Sequence, residues 1–315
     1  MKIAVLEPMN IGKKHLQLFQ SQLQKLGHEF VFYPSRTEEK PELIERAKNA
    51  DVILLSNIPF DGEMILKCPN LKMISVAFTG IDHIDINTCK KQGITVCNSA
   101  GYSTQAVAEL TIGLIFDVLR KITELDANTR ALQDRKGFIG QELAGKTVGV
   151  IGAGAIGSKV GKNLNCLGCE VYFWSRTIKK DVFWGNQVSL DELLAISDIV
   201  SLHIPLTKET DDLINSNSLK LMKNGAILIN TARGKVVNSS ALTEALKSGK
   251  LSGAGVDVFE TEPPLLPNHA LLDAPNCILT PHIGYATHEA LYNRSEIVID
   301  NVISWLNGKP KNVNV

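Results

Sequence analysis

The sequence predicts an α/β protein built from two doubly wound parallel sheets, and three observations carry that prediction. Short apolar runs rich in β-branched residues recur along the chain, each separated from the next by a helical stretch. That alternation is the pattern of βαβ units whose strands are buried on both faces. The runs also fall into two series, one ending near residue 98 and one opening at residue 147. Finally, a length of 315 residues suits two domains of ordinary size, each able to bury a substantial core.

The first series is "KIAVLE" (2–7), "EFVFY" (29–33), "DVILLS" (51–56), "KMISVA" (72–77) and "ITVCN" (94–98). The second is "TVGVIG" (147–152), "EVYFW" (170–174), "DIVSLH" (198–203), "AILIN" (226–230) and "GAGVDVF" (253–259). Helix signals lie between them. Ser189 and Glu192 have the spacing of a capping box ahead of "LDELLAIS", and "SSALTEALKSGK" stops at Gly249 as at a C-terminal cap. Between the series, "TQAVAELTIGLIFDVLRKI" (104–122) is apolar on nearly every face until Arg120. It predicts a buried helix, either central to one domain's core or lying at a hinge or dimer contact. The tail "HEALYNRSEIVIDNVISWLNGKP" (288–310) predicts a last amphipathic helix that stops at Asn307-Gly308 before Pro310.

Composition narrows the function classes. Lys+Arg and Asp+Glu both total 33, so no global field draws in nucleic acid or anionic lipid, and neither is expected as a partner. No run reaches the roughly 18 apolar residues of a membrane span. The six cysteines, Cys68, Cys89, Cys97, Cys166, Cys169 and Cys277, are irregularly spaced and mostly sit in or beside apolar runs, which suggests buried thiols in the reducing cytoplasm. Cys166 and Cys169 form a lone C-x-x-C with no second pair, so no metal site is expected.

The chemistry begins at Gly152-Ala153-Gly154-Ala155-Ile156-Gly157, which follows a strand and opens the helical run "AIGSKVGKNLNCLG". In that context Gly152 permits the tight turn, Gly154 lets the backbone approach a pyrophosphate, and Gly157 brings helix and strand together. The open N–H groups of Ala155 and Ile156 at the helix start face the anion. A dinucleotide site of this kind ordinarily has an acidic residue at the end of the next strand, to hold the adenosine ribose. Here "EVYFWSRTIKK" (170–180) offers Ser175, Arg176 and Thr177 instead, followed by Lys179 and Lys180. A carboxylate would repel a 2′-phosphate, whereas arginine presents paired donors to it, so the turn favours NADP over NAD. In the competing reading Arg176 stacks over adenine, the lysines are a solvated turn, and both cofactors work.

Three further segments end second-series strands. "LINTARGKV" places Arg233 just after a strand, "GVDVFETEPP" places Glu262 in a stretch held extended by Pro263 and Pro264, and "LTPHIGYAT" places His282 after a proline. Ligands in open α/β sheets collect at the carboxyl ends of strands, so the three are expected to converge there.

Through "FTGIDHID", "AGYSTQAVAEL", "ELAGKTVGVIGAGAIG", "LHIPLTKET", "MKNGAILINTARG", "GAGVDVFETEP" and "TPHIG", from about residue 50 to 305, the chain resembles the D-isomer-specific 2-hydroxyacid dehydrogenase family. The resemblance implies a Rossmann-type cofactor domain (100–285) inserted in a flavodoxin-like substrate domain (1–99 plus 286–315), and a homodimer. It implies Arg233, Glu262 and His282 as catalytic residues, backbone amides around Thr79 and Gly80 for the substrate carboxylate, and Asp257 for the cofactor carboxamide. Thr104, Pro205, Thr231 and Ala232 would line the cofactor cleft, while Asn57 and Phe78 would shape the acceptor pocket. Physical roles agree: Arg233 can hold a 2-oxo acid's carboxylate by two parallel bonds, and His282, with Glu262 beside it, can donate the proton.

The expected activity is NADPH-preferring reduction of a small 2-oxo acid, glyoxylate or hydroxypyruvate, to the D-2-hydroxy acid. Alternatives are an NAD-using phosphoglycerate dehydrogenase type and a dinucleotide-sensing corepressor-like binding protein. His83 in "IDHID" is expected to be a helix-start histidine. Leu110 stands where many members of that family carry histidine and Phe138 where tryptophan is common, and both departures are expected to affect packing more than chemistry.

Overall fold

A computed structural model describes every residue except Asn10, Lys180, Asp181, Glu262 and Pro263. The chain forms two compact units, Met1–Ser103 with Ala286–Val315, and Thr104–Tyr285.

The first unit carries a five-stranded parallel sheet of β1 (Lys2–Val5), β2 (Glu29–Phe32), β3 (Val52–Leu55), β4 (Met73–Val76) and β5 (Thr95–Cys97), in the order β2-β1-β3-β4-β5. Its strands read as continuous apolar runs because both faces are covered. Ala4, Ile53, Leu55, Ile74 and Val76 enter one core, and Ile3, Val5, Val52, Leu54 and Met73 enter the other. The last helix, His288–Leu306, places Val298 and Val302 on the second face. Ser75 Oγ donates to Val298 O at 3.1 Å and Asn301 Nδ2 to Asn98 O at 2.9 Å. The tail then covers the β5 edge: Val96 N donates to Val315 O at 3.0 Å and Asn314 N to Val96 O at 2.8 Å.

The second unit holds a seven-stranded parallel sheet of β6 (Thr147–Ile151), β7 (Glu170–Trp174), β8 (Asn186–Gln187), β9 (Ile199–Leu202), β10 (Ala226–Asn230), β11 (Leu251–Val256) and β12 (Cys277–Leu279). The order is β12-β11-β10-β9-β6-β7-β8, so the order reverses between β9 and β6, beside the glycine loop. Helix Thr104–Arg120 buries Ala108, Leu114, Ile115 and Val118 in this unit's core, as the core-helix reading expects. It ends at Arg120, where the apolar pattern ends, and Lys121 takes a left-handed φ of 50° before the separate helix Ile122–Arg130.

Strand β8 has no counterpart in the sequence reading, and β12 is implied there only as the strand that "LTPHIGYAT" ends. Both are edge strands of two or three residues, too short for an apolar run to announce. At Ser189 the hydroxyl does accept from Glu192 N at 3.2 Å, but the reciprocal box forms elsewhere, at Asn215 with Ser218. Among the described residues, no helix is long and apolar enough to cross a membrane.

Candidate active site

The glycine loop is built by close backbone approach. Gly152 has φ of +104°, and a Cβ there would overlap the His203 carbonyl oxygen; one at Gly157 would overlap the Gly152 carbonyl oxygen. A Cβ at Gly154, by contrast, meets nothing within 4 Å, so the loop's open side is where a ligand can touch backbone. Gly154 caps helix Ala155–Cys166, whose first N–H groups belong to Ala155, Ile156 and Gly157.

Beside this loop lies a cavity of about 360 Å³ lined by Gly152, Gly154, Ser175, Arg176, Thr177 and Pro205, with Lys179, Glu209 and others. The arrangement fits a dinucleotide: bare backbone for a pyrophosphate at one end and a guanidinium with two hydroxyls at the other. Lys180 lies outside the described residues. The cavity also contains an acid that the strand-end reading lacks. Glu209 comes from the loop after β9, and hydrogen bonding to Thr207, then the Arg176 and Lys208 charges, hold its carboxyl below the usual range. His203, another lining residue, sets its Nε2 2.8 Å from Ser201 Oγ. Desolvation pushes its imidazole down to about 3, so it is neutral at physiological pH.

Arg233 follows β10 and His282 follows β12, two strands that flank β11. At the end of β10, buried Asn230 accepts from Ala232 N at 3.0 Å through Oδ1 and donates to Arg233 O at 3.0 Å, folding the turn that presents Arg233. Arg233 Nη1 also donates to Ala232 O at 2.7 Å. Gly234 is needed next because a Cβ would overlap the Phe259 carbonyl group. Across the ladder, Asp257 N donates to Asn230 O at 2.9 Å, and His282 N donates to Asp257 O at 2.9 Å. One backbone crossing therefore ties the Arg233 turn to the His282 loop. His282 has a left-handed φ of 54° and is half-buried, with the Tyr285 ring edge-on at 5.5 Å.

The Asp257 carboxylate is 1% exposed and organises this loop. Oδ1 accepts from Thr280 Oγ1 at 2.6 Å and Ile283 N at 2.9 Å, and Oδ2 from Gly284 N at 2.9 Å. Three of its roughly four acceptor positions are thus filled by the chain itself. Its first task is to hold His282, and at most one position is left for a carboxamide. Thr231 Oγ1 lies 2.9 Å from Thr111 Oγ1, which fixes the residue before Ala232, and Thr104 opens helix Thr104–Arg120.

Glu262 and Pro263 lie outside the described residues. The stretch before them is anchored by Glu260, whose Oε2 meets His269 Nε2 at 3.1 Å. Burial works to raise the Glu260 carboxyl, but hydrogen bonds from Ser239 and His269 outweigh it and leave it low.

In the first unit, Asn57 Oδ1 accepts from Arg36 Nη1 at 2.8 Å, and Arg36 is itself paired with the buried Glu7 at 2.5 Å. Phe78 lies under the Arg294 guanidinium at 5.3 Å. The 78–80 loop is pinned through its carbonyls: Phe78 O accepts Ser99 N at 2.9 Å and Thr79 O accepts Asn98 Nδ2 at 2.7 Å, with Gly80 next in line. His83 differs from its expected place. It sits in the turn before helix Ile86–Gln92, whose cap is Asp85. Leu110 packs on the second unit's core and Phe138 lies 5.5 Å beneath Lys121 Nζ, both packing roles. Asn230, Gln187, Thr280 and Glu209 are site-building residues that the sequence reading missed. The Asn at a strand end in "INTAR" was the one available signal, as an Asx turn.

The family profile "D-isomer specific 2-hydroxyacid dehydrogenase, NAD binding domain" matches residues 112–284. The chain is 43% identical over 292 residues to a glyoxylate reductase of Thermofilum pendens, covering 90% of this chain and 85% of that protein. It is 38% identical over 296 residues to a glycerate dehydrogenase of Methylorubrum extorquens, covering 91% and 92%. Among solved structures, an acyclic imino acid reductase in complex with NADPH and D-Arg superposes with a TM-score of 0.91 at 33% identity, covering 100% of both chains.

Proposed function

We propose, from the premise that this chain belongs to the D-isomer-specific 2-hydroxyacid dehydrogenase family, that it reduces a small 2-oxo acid, glyoxylate or hydroxypyruvate, with NADPH as the preferred reductant. The family makes it an NAD(P)-dependent oxidoreductase; acceptor and cofactor preference are our reading. The observation that carries the reading is the Asn230–Asp257–His282 crossing, which ties the Arg233 turn after β10 to the His282 loop after β12 across the end of β11.

Arg233 takes the acceptor's carboxylate in two parallel bonds and polarises the 2-oxo group, a task for which a lysine point charge is less suited. His282 donates its proton to the carbonyl oxygen as that oxygen becomes a hydroxyl, and in the reverse direction it removes that proton. A reduced nicotinamide, when bound, supplies hydride to the carbonyl carbon. Glu262 is assigned to the side of His282, where a carboxylate favours the imidazolium. Gly152, Gly154, Ala155, Ile156 and Gly157 hold the pyrophosphate, Ser175, Arg176 and Thr177 the 2′-phosphate, and Thr104, Pro205, Thr231, Ala232 and Asp257 the rest of the cofactor. In the first unit, Asn57, Phe78, Thr79 and Gly80 are assigned to acceptor recognition.

Glu209 supports a second reading, in which NAD is used through a ribose hydroxyl bonded to that carboxylate. We assign a homodimer in the cytoplasm. Helix Ile122–Arg130 has no buried residue, and Leu132 and Ile139 beyond it are 96% and 84% exposed, which supports a second copy covering them.

The test is an acceptor panel of glyoxylate, hydroxypyruvate, pyruvate and phenylpyruvate, with the glycerate product resolved by chirality. Highest kcat/KM for glyoxylate or hydroxypyruvate and D-glycerate as product are expected. L-glycerate, or tight NADPH binding with no turnover of any acceptor, overturns the reading, the latter in favour of a sensor.

A further inference from the structure

The turn that lines the far end of the cavity is organised by a side chain behind it. Gln187 Nε2 donates to Ser175 O and to Thr177 O, each at 3.2 Å, and its Oε1 accepts from Lys179 N at 2.9 Å. Carbonyls only accept and a backbone N–H only donates, so this pattern fixes which end of the amide faces which group. The three bonds gather residues 175–179 around one amide, with Arg176 between the two carbonyls that Gln187 holds. Ser175, Arg176, Thr177 and Lys179 all line the cavity; half-buried Gln187 stands behind them.

Its own position is anchored in the core. Trp184 is 5% exposed, its ring lies 4.9 Å from the Phe173 ring, and it fills space that only a glycine at 161 leaves, since a Cβ there would overlap the indole. Three residues on, β8 pairs Gln187 with Phe173, and Val188 N donates to Phe173 O at 3.0 Å. The position of Gln187 is therefore set by the sheet and the buried indole, and the turn inherits that position through three hydrogen bonds. An exposed turn otherwise loses backbone entropy for each residue ordered on binding. A turn ordered in advance avoids that loss.

We propose that Gln187 is the positioning residue for recognition of the adenosine 2′-phosphate: it touches no cofactor atom but holds Arg176 in the pose that meets the phosphate. The inference rests on the NADPH reading above. Residues that act as one unit should be non-additive when both are removed.

The experiment measures KM and kcat for NADPH and NADH, at saturating glyoxylate, in wild type, Gln187→Leu, Arg176→Ala and the double variant. In Gln187→Leu, KM for NADPH is expected to rise about tenfold while kcat and KM for NADH stay within about twofold. In the Arg176→Ala background the same change should add less than about twofold. Should Gln187→Leu not fold, Gln187→Met keeps the length and approximate volume, adds no charge and removes the amide, and the same selective loss is expected. Equal shifts for both cofactors, no shift at all, or an undiminished effect without Arg176 would overturn the proposal. A wild type that uses NADH as well as NADPH would sink the cofactor reading and this inference with it. A preserved wild-type preference that survives Gln187→Leu would sink the inference alone.

Discussion

Asp257 and His282 are joined through both main chain and side chain: the Asp257 carbonyl accepts the His282 N–H at 2.9 Å, and the buried carboxylate accepts the N–H groups of the next two residues, Ile283 and Gly284, at 2.9 Å each. The left-handed φ of 54° at His282 is uncommon for a residue with a Cβ, although histidine adopts it more often than most, and this clamp holds it there. Asp257→Ala leaves buried donors unsatisfied, with an expected loss on the order of 3 kcal/mol and a fall in kcat because the imidazole is no longer aimed. Asp257→Asn should behave similarly, since its NH2 would face a donor. Urea unfolding and glyoxylate turnover check both effects, and unchanged values would refute the clamp.

His282→Ala should lower kcat by about a thousandfold if the imidazole is the proton donor. Arg233→Ala should raise KM for the 2-oxo acid and lower kcat together, because it binds the carboxylate and polarises the carbonyl. Steady-state kinetics at pH 7 decide. Retained activity in either variant removes that residue from the mechanism.

Glu209 shares the cavity with Arg176, so its carboxylate would oppose a 2′-phosphate held there. Glu209→Gln is expected to lower KM for NADPH about threefold and to raise KM for NADH. Movement of the two constants in the same direction would show that the carboxylate faces neither ribose nor phosphate.

His203 gives a pH dependence of known sign. An unfolded chain binds its proton near 6.5, whereas desolvation lowers the folded value to about 3. The stabilisation is complete above the unfolded value and is lost as pH falls through that window, because the unfolded state binds more protons there. Urea unfolding at pH 7.5 and pH 4.5 should therefore show a shallower loss in His203→Gln than in wild type. Equal losses would mean the imidazole titrates normally.

Burial pushes the Cys277 thiol up to about 12 and those of Cys68, Cys89 and Cys97 to about 11, while Cys166 is exposed. Iodoacetamide at pH 8 should modify the native protein at Cys166 alone, as read by peptide mass mapping. Early labelling of Cys97 or Cys277 would contradict the packing.

What was legible in the sequence follows from distance along the chain. The glycine loop could be read because its strand, turn and helix are contiguous, as could the core strands, whose apolar runs follow from burial on both faces. Gln187 and Glu209 could not. One lies on a two-residue polar edge strand and the other on a loop after a different strand, and only sheet order brings them to the Arg176 turn. Asp257 was legible as a site residue, but the identities of its partners required the fold to bring Thr280 and Gly284 beside it.

The most direct measurement is kcat/KM for NADPH and NADH, side by side, in the reduction of glyoxylate by the wild-type protein. Turnover with a clear advantage for NADPH is expected, because the turn assigned to the 2′-position carries a guanidinium and no strand-end acid. Turnover favouring NADH would contradict the role given to Arg176 and put Glu209 in its place.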